Sequence, residues 1–335
     1  MQVHRGGPLW PGDTPAPGAA EGPAPSAEGL SPDIVERIHV LQHKYAAMGQ
    51  DMRSYLDGLI HADYLTYWDY VHLDTLLSLQ NPRTAFPDEK IFILYHQITE
   101  LYFKLVLNEL HQVAEDPALT GETLTMRLRR VINYFRHLVS SFSIMIDGME
   151  PRQFLQFRMA LLPASGFQSA QYRMIELCST DARHLVARSE RERLSGETDP
   201  GVLLDHLYWQ WGGRELASGR KTLTLRQFLL KYGDDFRELI TAYRDKHLYA
   251  RFLGLREVER TDALTELMRE FDHLANVAWP LAHLKSAARY LHRDPEDIKA
   301  TGGTNWQKYL PPKSQQIVFF PELWREEEIR EWGTR

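Results

Sequence analysis

Four stretches of this chain carry side chains whose type and spacing could do chemistry. Phe92, His96, Thr99 and Phe103 recur at four- and three-residue steps, which gathers them on one face of a helix. His96 there is either a satisfied core histidine or a polar group in a pocket. Trp279 and His283 stand at i, i+4, with Ala282, Ser286 and Ala287 around the imidazole. Small residues beside a histidine leave room for a flat group, and a neutral imidazole is a ligand for haem iron. The same small residues also suit close helix–helix packing. Arg158 is embedded among Phe154, Phe157 and Leu161, ahead of a turn through Pro163, Ser165 and Gly166 and a second helical start. Its planar fork matches a carboxylate through two parallel hydrogen bonds. That carboxylate belongs either to a substrate or to an internal Asp or Glu, and Gly166 also suits a helix C-cap. The run Ala300-Thr301-Gly302-Gly303-Thr304-Asn305-Trp306 lacks the lysine and spacing of a P-loop. It reads as a lid over a small ligand or as a surface turn.

Helices must position these groups. Ile91, Leu94, Tyr95, Ile98, Leu101, Tyr102, Leu105 and Leu110 form the main apolar stripe of a helix predicted over 89–113. A helix that is apolar on two sides is central in a bundle or lines a pocket. Similar periodicity predicts helices over 123–147 and 263–291, with others at 32–47, 68–80, 152–162, 167–178 and 223–249. The stretch 189–222 reads as a connection with a short helix near 202–211. No alternation of β-branched residues bounded by hairpin turns is present, so the fold class is all-α. Residues 1–30 carry repeated Pro and Gly and few apolar anchors, and read as a disordered tail; 31–335 reads as one helical domain. Ser31-Pro32-Asp33 supplies a helix start.

Composition narrows the function classes. The chain holds 39 basic and 45 acidic residues for a formal charge of −6, and fourteen histidines against one cysteine, Cys178. One cysteine excludes an internal disulfide, a cysteine-rich zinc site, an iron–sulfur cluster and a covalently attached c-type haem. Cys178 reads as a small core hydrophobe rather than a thiolate ligand. The acidic balance argues against nucleic acid and anionic membranes as partners. No apolar run is long enough to span a bilayer and no signal-peptide core opens the chain, so the expected location is cytoplasmic. His61-Ala-Asp63 has the spacing of a two-histidine, one-carboxylate iron site, but that site belongs to β-barrels, which this sequence does not support.

Taken jointly, these segments resemble the tryptophan 2,3-dioxygenase family across most of residues 64–324. The resemblance is carried by Leu65-Thr-Tyr67-Trp-Asp-Tyr70-Val71, Leu76-Leu-Ser-Leu-Gln80, Asp88 through Gln97, Glu100-Leu-Tyr-Phe-Lys104 and Phe154 through Ser169. It continues in Trp279-Pro-Leu-Ala-His283, Thr301-Gly-Gly-Thr304 and Phe320-Pro-Glu-Leu-Trp324. Pro163-Ala-Ser-Gly-Phe-Gln-Ser169 is the most specific. The resemblance implies a helical bundle around a non-covalent b-type haem, usually in a homotetramer whose N-terminal helices reach a neighbouring site; a dimer or tetramer is therefore expected. It implies His283 as the iron ligand, with Trp279, Ser165 and Gly166 beside the haem. Tyr67, Tyr70, Val71, Phe92, His96 and Leu161 would line the substrate pocket, with His96 as catalytic hydrogen-bond acceptor. Arg158 would clamp the carboxylate of the amino acid and Thr301 would fix its polar groups. The family reaction uses O2 to open the indole C2–C3 bond of L-tryptophan, giving N-formylkynurenine. Related haem enzymes insert one oxygen into substituted tryptophans or tyrosine, and a non-catalytic haem or small-molecule sensor is the reading from a different class. The chain departs from the family pattern at Pro87, where a histidine is usual, and at Val71, where a leucine is. It also departs in the added residues of His292-Arg-Asp-Pro-Glu-Asp297, in the Thr-Asn-Trp that follows the double glycine, and in the proline-rich tail.

Overall fold

Proline at the first helical position starts the first helix where the sequence predicts, and α1 spans Pro32–Ala47. The structure, a computed structural model, describes residues 29–61, 66–161, 168–215, 218–291 and 311–334. All but the last two residues of the expected tail lie outside them. The chain divides into two compact units between Leu76 and Leu77. In the first, α1 is joined by α2 (Met52–His61), which no periodicity announced, and Tyr45 stacks on Tyr55 at 4.2 Å to tie the two together. The helix expected over 68–80 is two short pieces, α3 (Tyr67–Tyr70) and α4 (Leu73–Leu77). His72, between them, adopts φ 51°, a left-handed conformation that no continuous helix contains. None of the described residues of α1 to α4 is buried.

The second unit is built on α5 (Asp88–Glu115) and α6 (Gly121–Asp147), an antiparallel pair joined by a short loop. Thr120 caps α6 by accepting from the Thr123 amide at 3.2 Å. Leu124, Leu128, Val131, Phe135, Leu138, Phe142 and Met145 are all buried, one residue per turn along the inner face of α6. On α5 the structure corrects the expected stripe. The buried face is Tyr95, Thr99, Phe103, Val106, Leu110 and Val113, whereas Ile98, Leu101 and Leu105 keep 41%, 49% and 44% of their surface exposed. Counting apolar residues cannot tell which of two apolar faces meets the chain's own partners.

Shorter elements complete this unit. They are α7 (Pro151–Phe157) with a 3₁₀ turn at Arg158–Leu161, α8 (Ala170–Ser179), α9 (Pro200–Asp205), α10 (Leu223–Ala242) and α11 (Leu248–Leu253). The helix expected over 223–249 breaks at Tyr243, and His247 then caps α11. The region 263–291 is helical throughout but not uniform: α12 (Asp262–His273) widens into a π turn at Leu274–Ala278 before α13 (Trp279–Leu291). Pro280 accounts for the widening, because its ring cannot fit against the carbonyl four residues back in an α-helix. Among the described residues no strand occurs, only isolated bridges Val186–Leu207 and Arg214–Lys221, so the fold is all-α. None of the described helices is long and apolar enough to cross a membrane.

Among the described residues, three packed clusters make up the interior of the second unit. The largest runs through α5, α6, α8, α10, α11 and α12. A smaller one gathers Tyr95, Phe142, Met145, Met149 and Phe157, with Phe92, Phe154, Trp279 and Ala282 against it. It joins α5, α6, α7 and α13, the elements that carry His96 and His283 and lead into Arg158. The third is Val277, Val318 and Trp332, with Leu281 and Trp324 against it.

Candidate functional site

The N-terminus of α5 is locked before it presents its histidine. Glu89 is buried and accepts hydrogen bonds from the Arg83 and Thr84 amides, each at 2.7 Å, and from the Thr84 hydroxyl. Burial alone would raise its carboxyl, but these donors hold it below the ordinary value. Asp88 accepts from the Glu150 amide at 2.6 Å, and the Asp88 amide donates to Gln153 at 3.2 Å. The start of α5 is thereby fastened to α7, whose C-cap is Arg158.

One turn further along α5, Phe92 and His96 stack with ring centroids 4.0 Å apart. His96 Nδ1 lies 2.7 Å from the Phe92 carbonyl oxygen. A carbonyl can only accept, so Nδ1 carries the proton and Nε2 presents its lone pair. Burial pushes the His96 pKa down, against a raising pull from the Phe92 carbonyl and Glu100, which keeps the ring neutral at pH 7. Yet the side chain keeps exposed surface. An exposed ring with a fixed Nδ1 proton is not packed into the core formed by Tyr95, Thr99 and Phe103.

His283 lies near His96. Burial, followed by repulsion from His96, takes its pKa down to about 4, so the two imidazoles are near enough to feel each other's charge. His283 is neutral at pH 7 and only half-buried. Aromatic rings connect the histidines: Tyr95 meets His96 edge-on at 5.9 Å, Phe142 lies 5.6 Å from Tyr95, and His283 lies 6.0 Å from Phe142. Trp279 lies parallel to the His283 ring within 7°, at 5.9 Å. On the other side, Phe157 and Phe154 approach Phe92 at 5.9 and 6.3 Å. Arg158 follows Phe157 directly, and burial lowers its pKa. A guanidinium stays charged under such a shift, and the Arg158 side chain is partly buried.

These residues fit a haem. A neutral imidazole at His283 would provide the lone pair, Phe142 and Trp279 are flat neighbours of its ring, and Ala282 with the buried Ser286 keeps the helix face low. The Trp279 indole N–H is buried and meets no acceptor among the described residues, which a group bound beside it could satisfy. The H-x-D reading gains nothing: Asp63 lies outside the described residues, and among them no cluster of His, Cys, Asp and Glu could hold a metal ion. Cys178 is buried on α8, where burial pushes its thiol up to about 12, as expected for a core hydrophobe.

The structure brings Phe92, His96, Trp279 and His283 together in one unit, which also carries Arg158. Tyr67 and Tyr70 bound α3 and Val71 caps it; they stand in the unit up to Leu76, where the tyrosines keep 72% and 73% of their surface exposed. Leu161 closes the turn begun by Arg158, but its side chain, like Ser165, Gly166 and Thr301, lies outside the described residues. Sequence reasoning missed Phe142 and Asp272. Phe142 was hidden in a regular core stripe. Asp272 is 0% exposed and accepts from the Phe319 and Phe320 amides at 3.0 and 3.1 Å, Trp324 Nε1 at 2.9 Å and Asn276 Nδ2 at 2.8 Å. It ties the Phe320–Trp324 motif to the helix that leads to His283, and an acid in mid-helix gives no sequence signal of that.

Comparison with known proteins bears directly on this geometry. Residues 59–199 match the family model described as tryptophan 2,3-dioxygenase. The tryptophan 2,3-dioxygenase of Herpetosiphon aurantiacus is 32% identical over 271 residues, covering 78% of this chain and 96% of that protein. That of a Ruegeria species is 30% identical over 279 residues, covering 78% and 92%. A shorter match, to the enzyme of an Anaeromyxobacter species, is 44% identical over 122 residues, 36% of this chain and 45% of that protein.

Proposed function

The chain belongs to the tryptophan 2,3-dioxygenase family of haem-dependent oxygenases, and from that membership we propose its substrate, cofactor and residue roles. The substrate is L-tryptophan or a close derivative, and the reaction is opening of the indole C2–C3 bond with O2 to give the N-formylkynurenine product. The cofactor would be haem b, held by His283, with Trp279, Ser165 and Gly166 assigned to it by family likeness. The bound haem supplies activation of O2. The domain that does this runs from residue 31 to 335.

The observation that carries the proposal is the state of His96. Its Nδ1 proton is committed to the Phe92 carbonyl, so Nε2 is an acceptor, and the indole N–H of tryptophan is a donor. That hydrogen bond fixes how the indole ring is oriented. Phe92 provides the flat surface against which the indole lies. Arg158 pairs with the substrate carboxylate, and Thr301 joins it there. Two anchors at opposite ends of a rigid substrate hold one orientation, the main contribution a protein can make to a reaction between O2 and an aromatic ring. Tyr67, Tyr70, Val71 and Leu161 are assigned to the substrate by family likeness.

Assembly into a dimer or tetramer belongs to the same proposal. Supporting it, α1 to α4 bury nothing while carrying Val40, Leu59, Ile60, Trp68 and Leu77, and α5 exposes Ile98, Leu101 and Leu105.

The test is a spectrum and a mass. Purified protein, expressed with a haem precursor, should show a Soret band that shifts with dithionite and carbon monoxide. Aerobic turnover of L-tryptophan under reducing conditions should give a product heavier by two oxygen atoms. No Soret band removes the haem. A gain of one oxygen, or turnover of tyrosine alone, moves the reading to ring hydroxylation, and tight binding without turnover moves it to a sensor.

A further inference from the structure

A proline inside a helix withdraws one hydrogen from the backbone, and the acceptor left over can be traced here. In the π turn Leu274–Ala278, the Trp279 amide donates five residues back to the Leu274 carbonyl. In the same register the next donor would be residue 280, for the carbonyl of Ala275. That residue is Pro280, which has no N–H. The Ala275 carbonyl is fully buried, where a lost partner is costly. Tyr172 fills the gap: from α8, its hydroxyl donates to the Ala275 oxygen at 2.7 Å. A side chain 103 positions earlier in the sequence thus completes the backbone of the turn that leads to His283.

The same tyrosine touches the ligand helix a second time. Its ring stacks on Trp279 at 4.7 Å and 28°, and Trp279 lies parallel to His283. Tyr172 is itself held firmly. The Arg173 guanidinium stands 4.6 Å from its ring centroid, and Arg173 is fixed by a buried network in which it pairs with Glu176 at 3.1 Å and donates to the Tyr208 hydroxyl at 3.0 Å. Phe103 backs the ring at 5.4 Å.

We propose that Tyr172 is a positioning residue for His283: by supplying the donor that Pro280 lacks and by bracing Trp279, it sets the π turn and with it the plane of the imidazole. The proposal rests on the assignment of His283 as haem ligand. Wild type and Tyr172→Phe, both full-length, test it. Phenylalanine keeps the stack and removes the hydroxyl. One readout is the iron–histidine stretching band of the ferrous haem-loaded protein by resonance Raman. The other, independent of haem, is amide hydrogen exchange over 276–284 in the haem-free protein. Tyr172→Phe should shift or broaden the Raman band and speed exchange about tenfold. A Tyr172→Phe protein with an unchanged band overturns the proposal, whether or not it is less stable. A wild type without an iron–histidine band overturns the ligand assignment and the positioning role together, and is told apart by arising in the unaltered protein.

Discussion

At His96 and Arg158 the proposed chemistry reduces to single hydrogen-bonding groups, and each can be removed alone. His96→Phe keeps a ring against Phe92 but loses the Nε2 acceptor. Loss of one buried hydrogen bond of about 1.5–3 kcal/mol should lower kcat/KM for L-tryptophan by roughly 10- to 100-fold. A tryptophan methylated on the indole nitrogen has no proton to donate, so wild type and variant should turn it over at similar rates. An equal loss with both substrates would show that His96 acts in some other way. Arg158→Leu should raise KM by about two orders of magnitude, from the loss of about 3 kcal/mol of charged hydrogen bonding. Steady-state kinetics with L-tryptophan and with tryptamine, which lacks the carboxylate, would check it: tryptamine should not distinguish the two proteins.

At the scale of helices and turns, the sequence announced the long elements and missed what joins them. The expected spans 89–113 and 123–147 sit inside α5 and α6 because uninterrupted periodicity leaves no competing structure. The expected helix over 263–291 is continuous too, but the π turn within it follows from what Pro280 meets in three dimensions. Likewise, residue spacing put Phe92 with His96 and Trp279 with His283, and could not put one pair opposite the other. Asp272 was illegible for the same reason, since three of its four donors come from the distant Phe319–Trp324 stretch. Asp272→Asn would leave at least one of those donors facing an amide N–H, and thermal unfolding should register a cost of about 3 kcal/mol. At the start of α11, burial holds His247 down to about 4 while its ring caps the helix. The unfolded chain takes up that proton near pH 6.5, whereas the folded one resists until about 4, so stability falls as pH drops through that window. The contribution is on the order of 3 kcal/mol. His247→Asn keeps a capping side chain that does not titrate. Unfolding measured from pH 7 to pH 4 should show a shallower loss for the variant than for wild type, and parallel curves would contradict the assignment.

Across the whole molecule, the proposed assembly would draw on the exposed stripe on α5 and on the unburied helices before Leu77. Leu101→Glu places a charge in the middle of that stripe and should leave the fold unchanged while lowering the assembled mass, as read by sedimentation or light scattering. An unaltered mass would put the interface elsewhere. The division of the interior into separate packed clusters has a further consequence. The side chains around His96 and His283 belong mainly to a smaller cluster, whereas most of the buried apolar mass lies in the largest one. A lineage can therefore exchange residues of the proposed site without eroding the stability that keeps the chain folded. Trp279 packs against both clusters, so it is where the two kinds of selection meet.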